Sequence, residues 1–565
     1  MGKESEKMNR WSIVAASGIA AVVGCSNTPT TTKQNSPITT STSLVQDKPL
    51  AETTSTSGLT SAELAEYYHL PEGGELLPLD LLKAIESVRT FKPFMENLER
   101  FRLIADPNDP DGLPVGMSAA MVSGKRAEPR SVFFNCAACH TTEVTYAGKT
   151  LRVEGAAAHF DMAGFVADLL ESMNATMTDP KKLAEFLERL AKLNAAQLEK
   201  AYPDLKLDGK KSFLEQVKQL HKQTKKLEKQ IANVKLRAET AADAVELLQA
   251  KIKYLEGLRG LRPTTIAGFG RLDAFMGARN LLFGEKYPHD LNSPVSLPPI
   301  FGLSKLSWFH YDNNTTSIVQ RNIGEDLGVG AVADMKTAES TIELRNLLRL
   351  EALASKIPVP KWPAEIFGAL DTARAERGAA IYKKQCAGCH DYAEDGTFPD
   401  RTVDLEKLGT DPNRAKNFAE MLGDKTFAES LHGVLELVQN KAMGKEKISA
   451  EQLAAAEPRK VQWRSTNKYA SRPLGGIWAS APYLHNGSVP SLYDLLLPPD
   501  KRPKSFMTGS REFDPKKVGY IYDGTNGGSF QLDTAKDGNH NTGHTYGTEL
   551  SEEDRLDLLE YLKGL

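Results

Sequence analysis

Cysteine is scarce in this chain, and the positions of the few cysteines limit its chemistry. Only five occur in 565 residues, and four of them form two pairs, in CAACH (Cys136 to His140) and CAGCH (Cys386 to His390). If each pair serves one site and Cys25 carries a lipid, no thiol remains for a disulfide or for a cysteine nucleophile.

A long apolar run and an excess of charge are also absent. The 70 basic and 73 acidic residues give a net charge of −3, which offers no basic pattern of the kind that binds nucleic acid. The apolar stretch from Trp11 to Gly24 is shorter than the ~20 residues that span a hydrocarbon core of ~30 Å. It is therefore predicted to be a signal peptide and not a membrane helix.

The stretch ends in VVGCS, which resembles a bacterial lipobox with Cys25 as the lipidated residue. Ser26 follows, as in lipoproteins that are retained at the outer membrane. We predict a signal peptide over residues 1–24 and a lipid anchor on Cys25, with the protein facing the periplasm or the cell exterior. Each buried acyl methylene contributes about 0.8 kcal/mol, so two or three acyl chains hold a protein stably on a membrane.

Each cysteine pair is followed directly by a histidine. A C-x-x-C-H run indicates c-type haem attachment, in which two thiols add to the porphyrin vinyl groups and the histidine ligates iron. A structural zinc site would need about four ligands in one shell. A thioredoxin-like dithiol would need a βαβ setting, whereas ERGAAIYKKQ before the second motif has the pattern of an amphipathic helix. The sequence therefore predicts two covalently bound haem c groups, held by Cys136, Cys139 and His140 and by Cys386, Cys389 and His390.

Changes in composition divide the chain into successive units. We predict a mainly α fold with two c-type cytochrome domains, long loops and a helical coiled-coil insertion. After the signal peptide, a Ser/Thr-rich stretch is too poor in large apolar residues to form a core and is predicted to be a tether. The predicted boundaries are 25–58 for the tether, 59–181 and 263–370 for the N-terminal cytochrome domain and interdomain region, 182–262 for the insertion, and 371–565 for the C-terminal cytochrome domain.

The insertion has a regular apolar seam. From Phe213 to Leu255, apolar positions follow alternating spacings of four and three residues, which is typical of a coiled coil. The partner of this helix is either the shorter helix PKKLAEFLERLAKLNAAQLEKAY, in an antiparallel hairpin, or a second subunit, in which case the chain self-associates. The hairpin is favoured because both segments lie in one insertion.

The tail lacks methionine, and this bears on the second haem. Iron in a c-type cytochrome takes a proximal histidine and a second axial methionine or histidine. Since no methionine follows Met507, His540 or His544 is the natural sixth ligand. The chain then ends in a helix for which Ser551 to Asp554 has the pattern of an N-terminal capping box.

Two further residues are candidates for the first haem. His159 follows the first motif and either ligates that iron, lines its pocket or is merely packed. Trp308 lies in an irregular aromatic stretch of a kind that often lines sites, where it is either a core residue or an aromatic between the haems. The nearby His310 is expected to be structural, although it too could close the first haem.

Longer blocks carry a family resemblance. The two motifs, the run APYLHNGSVPSLYDLL and the tail GNHNTGHTYG resemble the bacterial di-haem cytochrome c peroxidase superfamily. The runs RPLGGIWASAPYLHNGSVP and RPKSFMTGSREFDPKKVGY are most similar to its branch of rubber oxygenase and di-haem fatty-acid dioxygenases. The resemblance is strong over 371–565, weaker over 130–180 and 265–335, and absent over the coiled coil.

The resemblance implies roles for single residues. The N-terminal haem would be the reactive one, with His140 as its proximal ligand and an open face toward dioxygen. The C-terminal haem would be six-coordinate, with His544 opposite His390, and would relay electrons. Trp308 would lie between the haems, and His485 would belong to the haem surroundings through its PYLHNGS block. The chain departs from the branch at Arg321 to Ile323, where an aliphatic residue replaces an expected aromatic near the oxygen pocket.

These points lead to three functional hypotheses. The favoured one is an oxygenase that uses O2 to oxidise or cleave carbon–carbon double bonds of an apolar substrate, such as a polyisoprenoid or an unsaturated fatty acid. The second is a peroxidase that reduces H2O2 with electrons from a small donor protein. The third is a non-catalytic electron carrier in which both irons are saturated. The sequence does not decide whether Ca2+ lies between the domains.

Overall fold

The structure, a computed structural model, describes the strand Thr54–Ser55 and residues 57–121, 130–201, 245, 247–253 and 264–565. All of these belong to one compact unit that runs from Asp47 to Leu565. The predicted signal peptide, Cys25, nearly all of the tether and most of the coiled-coil seam lie outside the described residues. In the part of the chain that is described, no helix is both long enough and apolar enough to cross a membrane.

The described part is mainly helical, which confirms the predicted fold class. In chain order the α-helices are α1 Ser61–His69, α2 Leu79–Ala84, α3 Cys136–Cys139, α4 Met162–Thr178, α5 Pro180–Ala201, α6 Ala274–Phe283, α7 Ile318–Val329, α8 Leu344–Ala354, α9 Ala364–Phe367, α10 Thr372–Gln385, α11 Ala387–His390, α12 Leu405–Leu408, α13 Asn413–Ala419, α14 Phe427–Glu446, α15 Ala450–Ala456, α16 Leu492–Leu495 and α17 Glu552–Lys563.

The strands are short and form small sheets around the helices. They are β1 Thr54–Ser55, β2 Leu77–Pro78, β3 Met117–Met121, β4 Arg130–Phe134, β5 Thr141–Tyr146, β6 Lys149–Glu154, β7 Arg271–Leu272, β8 Val295–Ser296, β9 Thr402–Asp404, β10 Met421–Leu422, β11 Lys425–Thr426, β12 Lys468–Ala470, β13 Ser505–Thr508, β14 Phe513–Asp514, β15 Gly519–Tyr520 and β16 Phe530–Asp533. Two sheets have three strands, in the orders β2-β4-β3 and β1-β6-β5. The others are antiparallel pairs, of which β7 with β8 and β9 with β12 lead into the candidate site.

The C-terminal unit is built on the pair α10 and α17. Asp371 and Ser551 cap the two helices by accepting hydrogen bonds from backbone amides. The cap at Ser551 confirms the predicted start of the last helix, while the Asp554 carboxylate accepts from the Ser551 hydroxyl at 2.8 Å and not from its backbone amide as in a capping box. The helices approach so closely at Gly378 that a Cβ there would lie 2.0 Å from the carbonyl oxygen of Asp557. Arg377 binds the same aspartate through two hydrogen bonds of 2.6 and 2.8 Å, and this pairing lowers the pKa of the Asp557 carboxyl.

A third helical group joins the two cytochrome units. Helices α6, α7, α8 and α14 share one apolar core, in which Ile323 and Leu431 are fully buried. Helix α14 lies within the C-terminal unit in sequence, yet it packs against α7 and α8 of this third group.

The coiled-coil insertion is also more integrated than the sequence suggested. At its base, Phe186 on α5 and Leu248 on the returning helical residues 247–253 are fully buried in the core that contains Phe94 and Phe165. This shared core agrees with the hairpin arrangement. The base of the insertion is thus part of the N-terminal core, and removing it would expose that core.

The base of the hairpin should therefore contribute to stability. We expect Leu248→Ala to reduce the free energy of unfolding by about 2–5 kcal/mol, since it leaves a cavity in a packed core. Leu437→Ala is the matched control, because that leucine also lies on a helix but is 60% exposed and should change stability by about 0.5 kcal/mol or less. Denaturant unfolding of the purified protein measures both, and equally small effects would show that the hairpin base is not part of the core.

Candidate functional site

The first C-x-x-C-H motif lies on the single turn α3. Asn135 precedes the turn and its side chain accepts a hydrogen bond from the amide of Ala137 at 3.0 Å. Its own amide group donates to the carbonyls of Tyr67 and Leu70, both at 3.1 Å, and so ties the motif to α1. Cysteines three positions apart on a helical turn share one face. The turn thus presents both thiols to the same side, as attachment to one porphyrin requires.

The thiols do not resemble those of a redox dithiol. All four motif cysteines are free. Burial raises the pKa of Cys139 to about 12 and that of Cys386 to about 11, whereas reactive cysteines have lowered pKa values. Among the described residues, the one group of three side chains with metal-ligand spacing is elsewhere, at Asp411, Asp537 and His540. The geometry therefore fits haem attachment better than a dithiol or a zinc site.

The two motif histidines are held in the same way. His140 Nδ1 lies 2.8 Å from the carbonyl oxygen of Pro298, and His390 Nδ1 lies 2.6 Å from the carbonyl oxygen of Arg472. Burial lowers the pKa of both imidazoles, so each is neutral near pH 7. A neutral imidazole that donates from Nδ1 leaves the lone pair of Nε2 free to ligate a metal. Both side chains are therefore in the tautomer that a proximal haem ligand needs.

His544 faces His390. Their ring centroids are 6.4 Å apart and the rings are inclined by 52°. Two imidazoles that bind one metal from opposite sides, at about 2.0 Å each, have centroids roughly 6 Å apart. Burial lowers the pKa of His544 to about 4, and its Nδ1 is buried with no hydrogen-bond partner among the described residues. The pair fits a six-coordinate haem iron.

The loop that carries His544 is firmly held. The backbone of His544 has a φ of +44°, and its amide donates to the carbonyl of Leu408 at 2.9 Å. A Cβ on the neighbouring Gly543 would lie 2.3 Å from the Leu408 carbonyl oxygen, so only glycine fits there. The buried guanidinium of Arg502 donates to the carbonyls of Asn541, Gly543 and His544 at 2.6–3.1 Å. These contacts stabilise a backbone conformation that a histidine rarely adopts.

His540, the other candidate ligand from the tail, has a different partner. Its Nδ1 lies 2.7 Å from a carboxylate oxygen of Asp411. Together with Asp537, these residues place one ligand atom each within 4.8 Å of one another. Because Ca2+ prefers ligands that are all oxygen atoms, this histidine-containing group gives no support to the Ca2+ ion that the sequence left open.

A cavity of about 280 Å³ surrounds the first motif histidine. Cys136 and His140 line one part of it. Arg472, whose carbonyl is the hydrogen-bond partner of His390, lines it together with Pro473. Most of the wall is apolar, and this apolar lining includes Phe275, Leu297, Leu306, Phe309 and Leu350. Among the described residues, no second histidine ring contacts the ring of His140, in contrast to the pair at the second motif. The residues fit a haem with one protein ligand.

Several polar side chains interrupt this wall, among them His310, Arg321 and Glu325. His310 Nδ1 lies 2.6 Å from Asn314 Oδ1, while its buried Nε2 has no hydrogen-bond partner among the described residues and lies 3.7 Å from Glu325. Burial alone would raise the pKa of Glu325, but His310 and the cation Arg321 lower it to about 2. Sequence reasoning placed His310 as structural, whereas the structure shows it in the cavity beside an ionised carboxylate.

The structure does not bring the other predicted residues into the cavity. His159 Nδ1 lies 3.1 Å from the Ser510 carbonyl oxygen, and its ring packs on Tyr520 in a separate cavity of about 20 Å³. The suggestion that His159 ligates or covers the first haem is therefore corrected. The Trp308 ring packs under Arg464, whose guanidinium carbon lies 3.6 Å from the ring centroid.

His485 lies between the two backbone segments whose carbonyls bind the motif histidines. Its ring stacks on Tyr469 with a centroid distance of 4.1 Å, and its carbonyl accepts a hydrogen bond of 2.8 Å from the amide of Ser296. Burial lowers the pKa of this imidazole to about 3. It does not line the cavity, so the structure gives it a packing role in the haem surroundings.

The two tail histidines provide a matched test. Because His544 faces His390 while His540 is bonded to Asp411, we expect His544→Ala to convert the second haem from low spin to high spin in most molecules. His540→Ala should leave the spin state unchanged. Resonance Raman spectra of the two purified variants distinguish these outcomes, and a low-spin second haem in His544→Ala would show that another residue is the ligand.

Comparison with known proteins agrees with these sites. A model of RoxA-like, cytochrome c-like domains matches residues 468–507, and a model of cbb3-type cytochrome c oxidase subunit III matches residues 373–456. Both matches lie in the C-terminal unit that carries His390. They indicate a haem c protein with an electron-transfer or oxidoreductase function.

Two relatives come from Sinorhizobium fredii (strain NBRC 101917 / NGR234), and both are described as uncharacterized. Protein y4iJ is 30% identical over 569 residues, which is 86% of this chain and 89% of y4iJ. Protein y4iM is 30% identical over 265 residues, which is 44% of this chain and 56% of y4iM. The long alignment shows that the chain belongs to the same family as y4iJ, and the two model matches indicate that this chain carries cytochrome c domains in its C-terminal unit.

Proposed function

We propose that this protein is an exported di-haem oxygenase. Haem held by Cys136, Cys139 and His140 would react with O2, and haem held by Cys386, Cys389 and His390 would relay electrons. The inequality of the two histidine sites carries this proposal. His390 has a second imidazole at axial spacing, with 6.4 Å between the ring centroids, whereas His140 opens into a cavity.

Coordination links this inequality to function. When bound, a haem with one protein ligand supplies an open position for O2 or H2O2, whereas a six-coordinate haem supplies only electron transfer. His140 is oriented by Pro298 and kept neutral by burial, so its role is to hold the reactive group in place. Arg502 and Gly543 hold His544 opposite His390 and so keep the second site closed to external ligands.

An apolar substrate is proposed because the haem surroundings are apolar. Phe275, Phe309 and Leu350 line the cavity that the haem held by His140 would occupy, so a substrate that approaches this haem would also lie beside apolar side chains, away from water. An unsaturated fatty acyl chain or a polyisoprenoid fits this chemistry, with oxidation or cleavage at a carbon–carbon double bond. The match to RoxA-like domains supports the same branch of the superfamily. The proposed lipid anchor on Cys25 would hold the enzyme at the outer membrane, in a position to meet a water-insoluble substrate.

A second candidate is reduction of H2O2 with electrons from a small donor protein. The pair of His310 and Glu325 favours this reaction. Reduction of H2O2 consumes protons, so a side chain that accepts and returns protons must lie close to the peroxide. His310 Nδ1 lies 2.6 Å from Asn314 Oδ1 and its Nε2 lies 3.7 Å from the Glu325 carboxylate, so the two side chains form an acid–base pair at the cavity wall. General acid–base groups of this kind contribute about 10²–10⁴-fold to rate.

Turnover with a labelled oxidant separates the two candidates. The purified protein is given an unsaturated fatty acid or polyisoprene with ¹⁸O2, and separately H2O2 with a reduced small electron-transfer protein. The oxygenase proposal predicts label in the carbonyl or hydroxyl groups of the product.

His310→Leu refines this test. In an oxygenase it should leave labelled product within a few-fold of wild type, whereas in a peroxidase it should lower kcat/KM for H2O2 by about 10²–10⁴-fold. H2O2 consumption without any labelled product would contradict the oxygenase proposal.

A further inference from the structure

A run of covalent bonds and hydrogen bonds starts at the first proximal histidine. His140 Nδ1 donates to the carbonyl of Pro298 at 2.8 Å. Two residues earlier on the same segment, the carbonyl of Ser296 accepts a hydrogen bond of 3.0 Å from the hydroxyl of Tyr311. The side chain of Tyr311 therefore contacts the backbone segment that orients His140.

The backbone of Tyr311 continues the run to the second proximal histidine. Its carbonyl accepts a hydrogen bond of 2.7 Å from the amide of Ala470. Two residues later, the carbonyl of Arg472 accepts from His390 Nδ1 at 2.6 Å. The two imidazoles are thus joined by four hydrogen bonds and three short pieces of chain, and Tyr311 is the residue that spans the gap between the two supports.

The local environment keeps this connection in place. Burial raises the pKa of the Tyr311 hydroxyl, so it remains protonated and donates to Ser296. The guanidinium of Arg472 donates to the carbonyls of Trp308 and His310, which fixes the segment that carries Tyr311 against the second support. Burial lowers the pKa of Arg472 to about 10, which leaves it cationic at neutral pH.

We propose that Tyr311 is the residue that couples the two haems, and that electrons pass between them along this hydrogen-bonded run. The inference rests on the proposed presence of haem at both motifs. In the transfer, one electron would pass from the haem that Cys386 and Cys389 would hold to the haem that Cys136 and Cys139 would hold. No bond is broken and the Tyr311 proton stays on its oxygen, while an external reductant replaces the electron.

A different route would pass through the ring of Trp308. That ring packs under Arg464 and does not line the cavity, whereas Tyr311 contacts both supports directly. Groups that hydrogen-bond to a metal-bound histidine orient its ring and also tune the properties of the metal. Their loss typically lowers metal affinity or activity about 10–100-fold. Tyr311 acts on both histidines through such groups, so it is a positioning residue for each haem.

Tyr311→Phe tests the proposal, because it removes one hydroxyl and keeps the ring. Half-reduced, haem-loaded protein is prepared with dithionite under CO, and a light flash releases CO so that the electron moves between the haems. We expect the transfer rate to fall about 10-fold, at the lower end of the effect of losing a group that orients a metal-bound histidine. Tyr469→Phe is the control: its buried hydroxyl donates to the Asp411 carbonyl at 2.8 Å, outside the run, and its rate should equal wild type.

Several results would overturn the proposal. These are an unchanged rate in Tyr311→Phe, an equal loss in Tyr469→Phe, or a loss in Trp308→Phe without one in Tyr311→Phe. Haem content and thermal unfolding of each variant identify a folding defect.

A wild type that binds no CO contradicts the proposed function alone, and potentiometric titration then replaces the flash experiment. In that titration, we expect the potential of one haem to depend less on the oxidation state of the other haem in Tyr311→Phe than in the wild type. An equal dependence in the two proteins overturns the proposal.

Discussion

The site depends on one repeated interaction, the hydrogen bond from a motif histidine to a backbone carbonyl. His140 donates to Pro298 and His390 donates to Arg472. Each acceptor precedes a proline, which restricts the backbone of the residue before it to extended conformations. Each also lies two residues after a short paired strand, β8 or β12. Two unrelated stretches of chain thus orient their imidazoles by the same device.

The second axial position makes the two sites different. At the C-terminal site, Arg502 and the close contact at Gly543 hold the backbone of His544 in a left-handed conformation, so that its ring faces His390. At the N-terminal site, His310 also has a left-handed backbone, with a φ of +64°, but its Nδ1 is bonded to Asn314 and its Nε2 lies 3.7 Å from the Glu325 carboxylate. Strained backbone at both positions agrees with functional constraint.

The sequence could predict features that depend on neighbouring residues along the chain. The C-x-x-C-H motifs, the helix before Cys386 and the cap at Ser551 are local patterns, and the structure contains each turn and helix. The sequence could not predict in this way where a residue lies relative to residues that are distant along the chain. His159 follows the first motif closely but packs on Tyr520, and the buried base of the coiled-coil insertion depends on contacts between Leu248 and a core far away in sequence. The Arg-Pro pairs at Arg472 and Arg502 are visible in the sequence, but only the fold shows that these two arginines contact the histidine sites.

The central claim is that one haem is open and the other is closed, because every proposed reaction requires this difference. CO binds ferrous haem only where an axial position can be vacated, so its stoichiometry counts open sites. The direct measurement is a CO titration of the dithionite-reduced wild-type protein, with haem content determined on the same sample. We expect two haems and one CO per molecule. Binding of no CO, or of two CO, would show that the two haems do not differ in this way.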